Sequence, residues 1–165
     1  MKHKPYDRQK AVDYAHRWAF GRNPAYYNFD KLGGDCTNFA SQVLYSGCGV
    51  MNPKPTTGWY YRNLNSRSPS WSGVVFFYRF LVSNKGPGPV VVETGMEKVK
   101  PGDILQLSFN GIEFSHSPVI VSVGDVPAPE NILIAAHTYD SDYRPLDTYQ
   151  YRLIRFLHID RINLW

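Results

Sequence analysis

Apolar side chains recur at Ala11, Tyr14, Ala15, Trp18 and Ala19, the spacing of a single helical face. A helix over residues 7–20 follows, stopped by Gly21 and Pro24. A second stripe, Phe39, Ala40, Val43 and Leu44, predicts a helix that starts at Cys36 and ends near Ser46-Gly47. Gly33-Gly34 closes the loop ahead of it, and Asp35 stands at its N-cap position. A third helix is predicted over 71–83, carrying Val74, Val75, Phe77, Tyr78 and Leu81, with Ser70 as its cap. The pattern then changes. Residues 89–93, 103–109, 118–123, 131–137 and 150–158 are apolar or alternating and are separated by turn residues, which predicts strands. Helices first and strands afterwards indicate an α+β fold with a mostly antiparallel sheet.

Between the second and third helices, residues 48–70 are irregular and rich in Gly, Pro, Asn and Ser. Trp59, Tyr60 and Tyr61 sit in the middle of that segment, and long loops in compact domains are usually functional or disordered. With Trp71 they are the candidates for a substrate cleft, the alternative being packing onto the body of the domain. No repeat, low-complexity stretch or linker interrupts the 165 residues, so one domain spanning 1–165 is expected.

A hydrophobic fraction of 43% and an aromatic fraction of 15% exclude a disordered chain. The net charge of +4 comes from scattered arginines and not from a run, so no nucleic-acid partner is indicated. No apolar stretch reaches the roughly 18 residues of a membrane span. The first seven residues are basic without a following apolar stretch, unlike a secretory signal. The expected setting is the cytoplasm by default, or a domain of an exported or cell-envelope protein.

The chemistry centres on Cys36. If the second helix is continuous, Cys48 lies twelve positions and roughly 18 Å further on, beyond the ~7 Å Cα limit of a disulfide. Cys36 is then a free thiol in a first helical turn, where orphan N–H groups and the helix dipole favour a thiolate. With a cationic or histidine partner, such a thiol falls from about 8.5 into the range of roughly 3.5–7.5. A small buried cysteine that merely packs suits the same position.

A nucleophilic thiol needs a base, and the base needs an orienting group. His3, His16 and His158 fall at a frayed end, on a polar helix face and at an alternating strand position. His116 stands at the mouth of one strand and His137 at the end of the next. Antiparallel pairing of those strands places both imidazoles at one edge of the sheet. Asp140 is the rival orienting group, in a polar turn three residues beyond His137. Asp35 is a supporting residue that caps the helix or positions its loop. Without C-x-x-C, H-x-x-x-H, a P-loop or G-x-G-x-x-G, no metal and no cofactor is expected.

Gly34-Asp35-Cys36-Thr37-Asn38-Phe39-Ala40-Ser41-Gln42 resembles the motif opening the nucleophile helix of the NlpC group of papain-like bacterial cell-wall cysteine peptidases. The nearest likeness is to the bacterial putative amidase domain family. Pro101-Gly102-Asp103-Ile104 is similar to the turn into the first core strand of that superfamily, and His116-Ser117 and His137-Thr138 follow in the family's order. The resemblance covers roughly residues 10–157. It implies a papain-like cysteine hydrolase fold, with the nucleophile helix packed on the sheet. It also implies a Cys36–His116–His137 triad and an amide substrate in a peptide or cell-wall fragment. The long aromatic segment 48–83 departs from minimal wall peptidases.

The activity this implies is hydrolysis of an amide through a thioester on Cys36, with His116 as base and then acid and the Cys36 N–H as oxyanion donor. Two rivals use the same residues differently. An acyltransferase would pass the acyl group to an amine. A non-catalytic module would stack sugar or peptide on Trp59, Tyr60, Tyr61 and Trp71 while Cys36 stays inert.

Overall fold

The apolar periodicities become helices in a computed structural model that describes residues 1–165. A short strand β1 (His3–Lys4) precedes α1 (Arg8–Trp18), whose N-cap Asp7 accepts a hydrogen bond from the Lys10 amide at 3.0 Å. Next comes α2 (Cys36–Cys48), ended by Gly49 in the left-handed conformation (φ 68°), with the Gly49 N–H bonded to the Tyr45 carbonyl. A small hairpin of β2 (Tyr61–Asn63) and β3 (Ser66–Arg67) follows. The helix expected over 71–83 is two pieces, α3 (Pro69–Ser72) and α4 (Val74–Ser83). Gly73 separates them in an extended conformation, a break that costs little at the weakest non-proline helix former.

The sheet contains β4 (Gly88–Thr94), β5 (Ile104–Ser108), β6 (Val119–Val123), β7 (Ile132–Ala136), β8 (Ser141–Pro145) and β9 (Leu153–Asn163). Every pairing is antiparallel, in the path β1-β9-β5-β6-β7-β8 with β4 on the other edge of β9. All five predicted strands form. β1, β8 and the β2–β3 hairpin carry mostly polar, half-exposed side chains and give no apolar signal.

The sheet buries side chains on both faces. Ile104, Val119, Val121, Ala135, Leu157 and Ile159 join Phe39, Ala40, Val43 and Leu44 of α2 in one core. Leu105, Leu107, Ile120, Ile134, Ala136 and Phe156 close a second core on the other face. Two buried faces explain why β7 reads as a continuous apolar run and why β5 is buried at all five positions.

The turn before β5 is clamped by Asp103, which is fully buried. Its carboxylate accepts from Arg8 (2.8 Å), His158 (2.8 Å) and the Lys100 and Ile159 amides (2.9 Å each). His158, expected to be an ordinary exposed residue, is half-buried and tied here.

Candidate active site

A cavity of 740 Å³ opens where the start of α2 meets one end of the sheet. Gly33, Gly34 and Cys36 form its helix side, and Phe109, Ser115 and His116 come from the β5–β6 connection. Thr138 and Tyr139 of the β7–β8 turn face them, with Arg144 and residues 148–150 behind. Gly33 and Gly34 have φ of 87° and 96°, which glycine adopts without penalty. Thr138 and Tyr139 take left-handed φ of 65° and 55°, unfavourable for a β-branched and an aromatic residue. That strain sits on the cavity wall, and such strain concentrates at working sites.

Cys36 is the first residue of α2, and no side chain caps that helix, so its backbone N–H is an orphan donor at the cavity. The sulfur lies 3.8 Å from the Thr37 hydroxyl. That hydroxyl is 3.1 Å from Ser117 Oγ, which also accepts from Gln106 Nε2 at 3.1 Å. Burial raises the thiol above its usual range, against the Ser117 backbone and Thr37, which favour the thiolate. The expected acidified thiol is therefore not what the geometry holds at rest. Here desolvation outweighs the hydrogen bonds from Ser117 and Thr37. Cys48 is wholly buried and pushed up to about 12 by the same cause.

His116 is fixed by a bridge to Leu107, its carbonyl accepting from the Leu107 amide at 3.1 Å. Its ring lies between Phe109 and Tyr149, with centroids 6.4 and 5.7 Å away. Burial pulls the imidazole down to about 4, and the Arg144 cation pushes it the same way. Burial thus disfavours the charged form of both the thiol and the imidazole.

His137 does not orient His116, which corrects the expected triad. Its Nδ1 faces Asp35 Oδ2 at 2.5 Å and its Nε2 donates to the Trp18 carbonyl at 2.8 Å, so both ring nitrogens are used. The ring is 1% exposed and stacks on Phe39 at 4.0 Å. β6 and β7 do pair antiparallel, with Val119 opposite Ala135. Carrying that register outward sets Ser117 opposite His137, so His116 is one residue out of phase and points to the other face.

Asp140 does not reach His116 either. It holds Arg22 through two bonds of 2.9 and 3.0 Å, and Arg22 also pairs with Asp30. Asp35 occupies the N-cap position of α2 but does not cap it. Its carboxylate instead accepts from the Phe29 amide (2.8 Å) and Asn38 Nδ2 (2.9 Å) and meets His137. It positions the loop.

The aromatic segment lines no part of this cavity, which corrects the expected cleft. Trp59 and Trp71 are fully buried, their rings 5.0 Å apart. Trp59 Nε1 donates to Ser41 and Trp71 Nε1 to Asn38, each at 3.0 Å. Tyr60 lies under Arg62 outside the cavity. Much of the motif after Cys36 is thus structural, with Asn38 and Ser41 holding indoles and Gln42 accepting from Tyr14 at 2.6 Å.

Among the cavity residues missed in the sequence are Arg144 and Tyr149. Arg144 lies on an edge strand without an apolar signal, and Tyr149 follows a polar turn. The Arg144 guanidinium sits 3.6 Å over the Tyr149 ring. Tyr149 Oη is buried without a hydrogen-bond partner, although Arg144 and Ser141 stand close enough to favour its phenolate against the dominant effect of burial. No group of His, Cys, Asp and Glu side chains is arranged to hold a metal ion, and no helix is long and apolar enough to cross a membrane.

The profile described as "Putative amidase domain" matches residues 5–159. An uncharacterized protein of Bacillus subtilis (strain 168), YhbB, is 35% identical over 144 residues. The match takes in 84% of this chain but 43% of that relative, so the chain spans less than half of the relative's length. No solved structure matches.

Proposed function

We propose that this chain, which belongs to the putative amidase domain family, hydrolyses amide bonds through a thioester on Cys36. One observation carries the reading. Cys36, at an uncapped helix N-terminus, and His116 share one 740 Å³ cavity, the one thiol and the one imidazole on its wall.

Both groups start neutral. As the sulfur attacks the carbonyl carbon, His116 takes the thiol proton and the carbonyl oxygen becomes an oxyanion against the Cys36 N–H. Collapse breaks the C–N bond, and the imidazolium gives its proton to the departing amine. Water, deprotonated by His116, then attacks the thioester and releases the acid. His137 and Asp35 act through position, by fixing the loop that carries Cys36.

The substrate class we favour is a peptide or cell-wall fragment, with the fold belonging to the papain-like NlpC superfamily. The antiparallel sheet packed on the Cys36 helix supports that placement. The test is amine release from pooled peptide and muropeptide amides. Wild type should release amine, with Cys36→Ala and His116→Ala inactive though folded. Undiminished release by Cys36→Ala would defeat the proposal.

A further inference from the structure

The cavity has an unbalanced charge. Of the residues on its wall, Arg144 carries the only fixed formal charge, and no aspartate or glutamate stands among them. Arg144 pairs with no carboxylate in the protein, as do six other arginines, but it is the only one of them on the cavity wall.

Its placement is nonetheless built. Nε donates to Thr148 Oγ1 at 2.7 Å and Nη2 to the Thr148 carbonyl at 3.2 Å, and the guanidinium carbon lies 3.6 Å from the centre of the Tyr149 ring. Thr148 Oγ1 in turn bonds the Pro145 carbonyl at 2.7 Å. These contacts fix the plane of the group while leaving Nη1 without a protein partner. A half-buried, pre-oriented guanidinium with free donors is suited to a carboxylate, since its fork matches the two oxygens. Its effect also reaches the base, because the Arg144 cation is one reason the His116 imidazole is held neutral.

We propose that Arg144 is a specificity-determining residue that selects substrates with a carboxylate close to the scissile amide. The proposal rests on Cys36 being the nucleophile of the same cavity and names the class of substrate it takes. An anionic group seated there meets Arg144 and the Thr148-Tyr149-Gln150 wall, while the acyl carbon faces Cys36. A neutral amide isostere leaves the guanidinium desolvated and unpaired, so discrimination arises from both the attraction and the penalty.

The test is titration calorimetry at low ionic strength with N-acetylalanine and N-acetylalaninamide, probes that differ by a carboxylate alone. The full chain is compared as wild type, Arg144→Gln and Arg144→Lys. We expect the acid to bind wild type about tenfold more tightly than the amide, the size of a charge-assisted hydrogen bond. The preference should vanish in Arg144→Gln and survive in part in Arg144→Lys. Equal affinities for wild type, no binding of either probe, or a preference that persists in Arg144→Gln would each overturn the proposal. Binding needs no turnover. A lost preference with Cys36 still acylated by peptide substrates would therefore defeat the Arg144 proposal alone. A retained preference with Cys36 never acylated would defeat only the cysteine mechanism.

Discussion

Replacing His137 by alanine should damage the fold much more than the chemistry. The substitution removes the bond to Asp35 at 2.5 Å, the bond to the Trp18 carbonyl at 2.8 Å and the stack on Phe39 at 4.0 Å. A hydrogen bond to a charged group contributes about 1.5–3 kcal/mol, a neutral one about 0.5–1.5 and an aromatic pair about 0.5–1.5. Asp35 is fully buried and would lose its imidazole partner. The expected loss is about 3–5 kcal/mol, a large part of the roughly 5–15 kcal/mol of a typical domain. Asp140→Ala provides the contrast. Asp140 is 28% exposed in its side chain and Arg22 keeps Asp30, so the loss there should be about 0.5–1 kcal/mol. Urea unfolding of both variants measures these losses, and single-turnover acylation, corrected for the folded fraction, measures the chemistry. The reasoning fails if His137→Ala unfolds within ~1 kcal/mol of wild type while acylation drops about a hundredfold or more. That pattern would mean that His137 orients His116 after all.

Other outcomes follow from burial. The His116 imidazole titrates at about 4 in the fold against an ordinary 6.5, so the unfolded chain binds more protons between those values. The stability it contributes is complete above about pH 6.5 and fades as the pH falls to about 4, a total on the order of 3 kcal/mol. Thermal melts between pH 4 and 7 should show His116→Gln with a weaker acid dependence than wild type; parallel curves would count against it. Trp59→Ala should cost about 3–5 kcal/mol in urea unfolding and leave KM unchanged, and a raised KM at unchanged stability would restore the cleft reading. Asp103→Ala strips four partners from a buried turn and should cost about 3–5 kcal/mol, seen as a lower urea midpoint. Iodoacetamide should modify Cys36 before Cys48, with a Cys36 midpoint above the ordinary thiol range because burial raises it; a midpoint well below that range would indicate a preformed ion pair.

The helices and the core strands were legible because the apolar period of each segment matched the face it buries. Residues 11–19 and 39–44 gave α1 and α2, and the antiparallel neighbours β6 and β7 followed from their sequence order. Cys36 and His116, singled out by a place after Gly-Gly-Asp and at a strand mouth, both lie on the cavity wall. The role of His137 was misread because strand ends specify an edge but not a face. A one-residue phase difference sends His116 towards Tyr149 and His137 towards Phe39. Trp59 and Trp71 misled for a different reason. Aromatics in an irregular segment look the same in sequence whether they line a groove or fill a core, and the deciding partners, Ser41 and Asn38, lie on α2. Arg144 had no local signal, since its meaning comes from the absence of a carboxylate around it.

The most direct measurement is the mass of Cys36 itself. Wild type mixed with a peptide and muropeptide amide library, quenched in acid within milliseconds and digested, should carry an acyl adduct on the Cys36 peptide. The adduct should be labile to hydroxylamine and absent from Cys36→Ala, and it should accumulate more slowly in His116→Ala. Amine release by wild type with Cys36 unmodified at every quench time, undiminished in Cys36→Ala, would contradict the account.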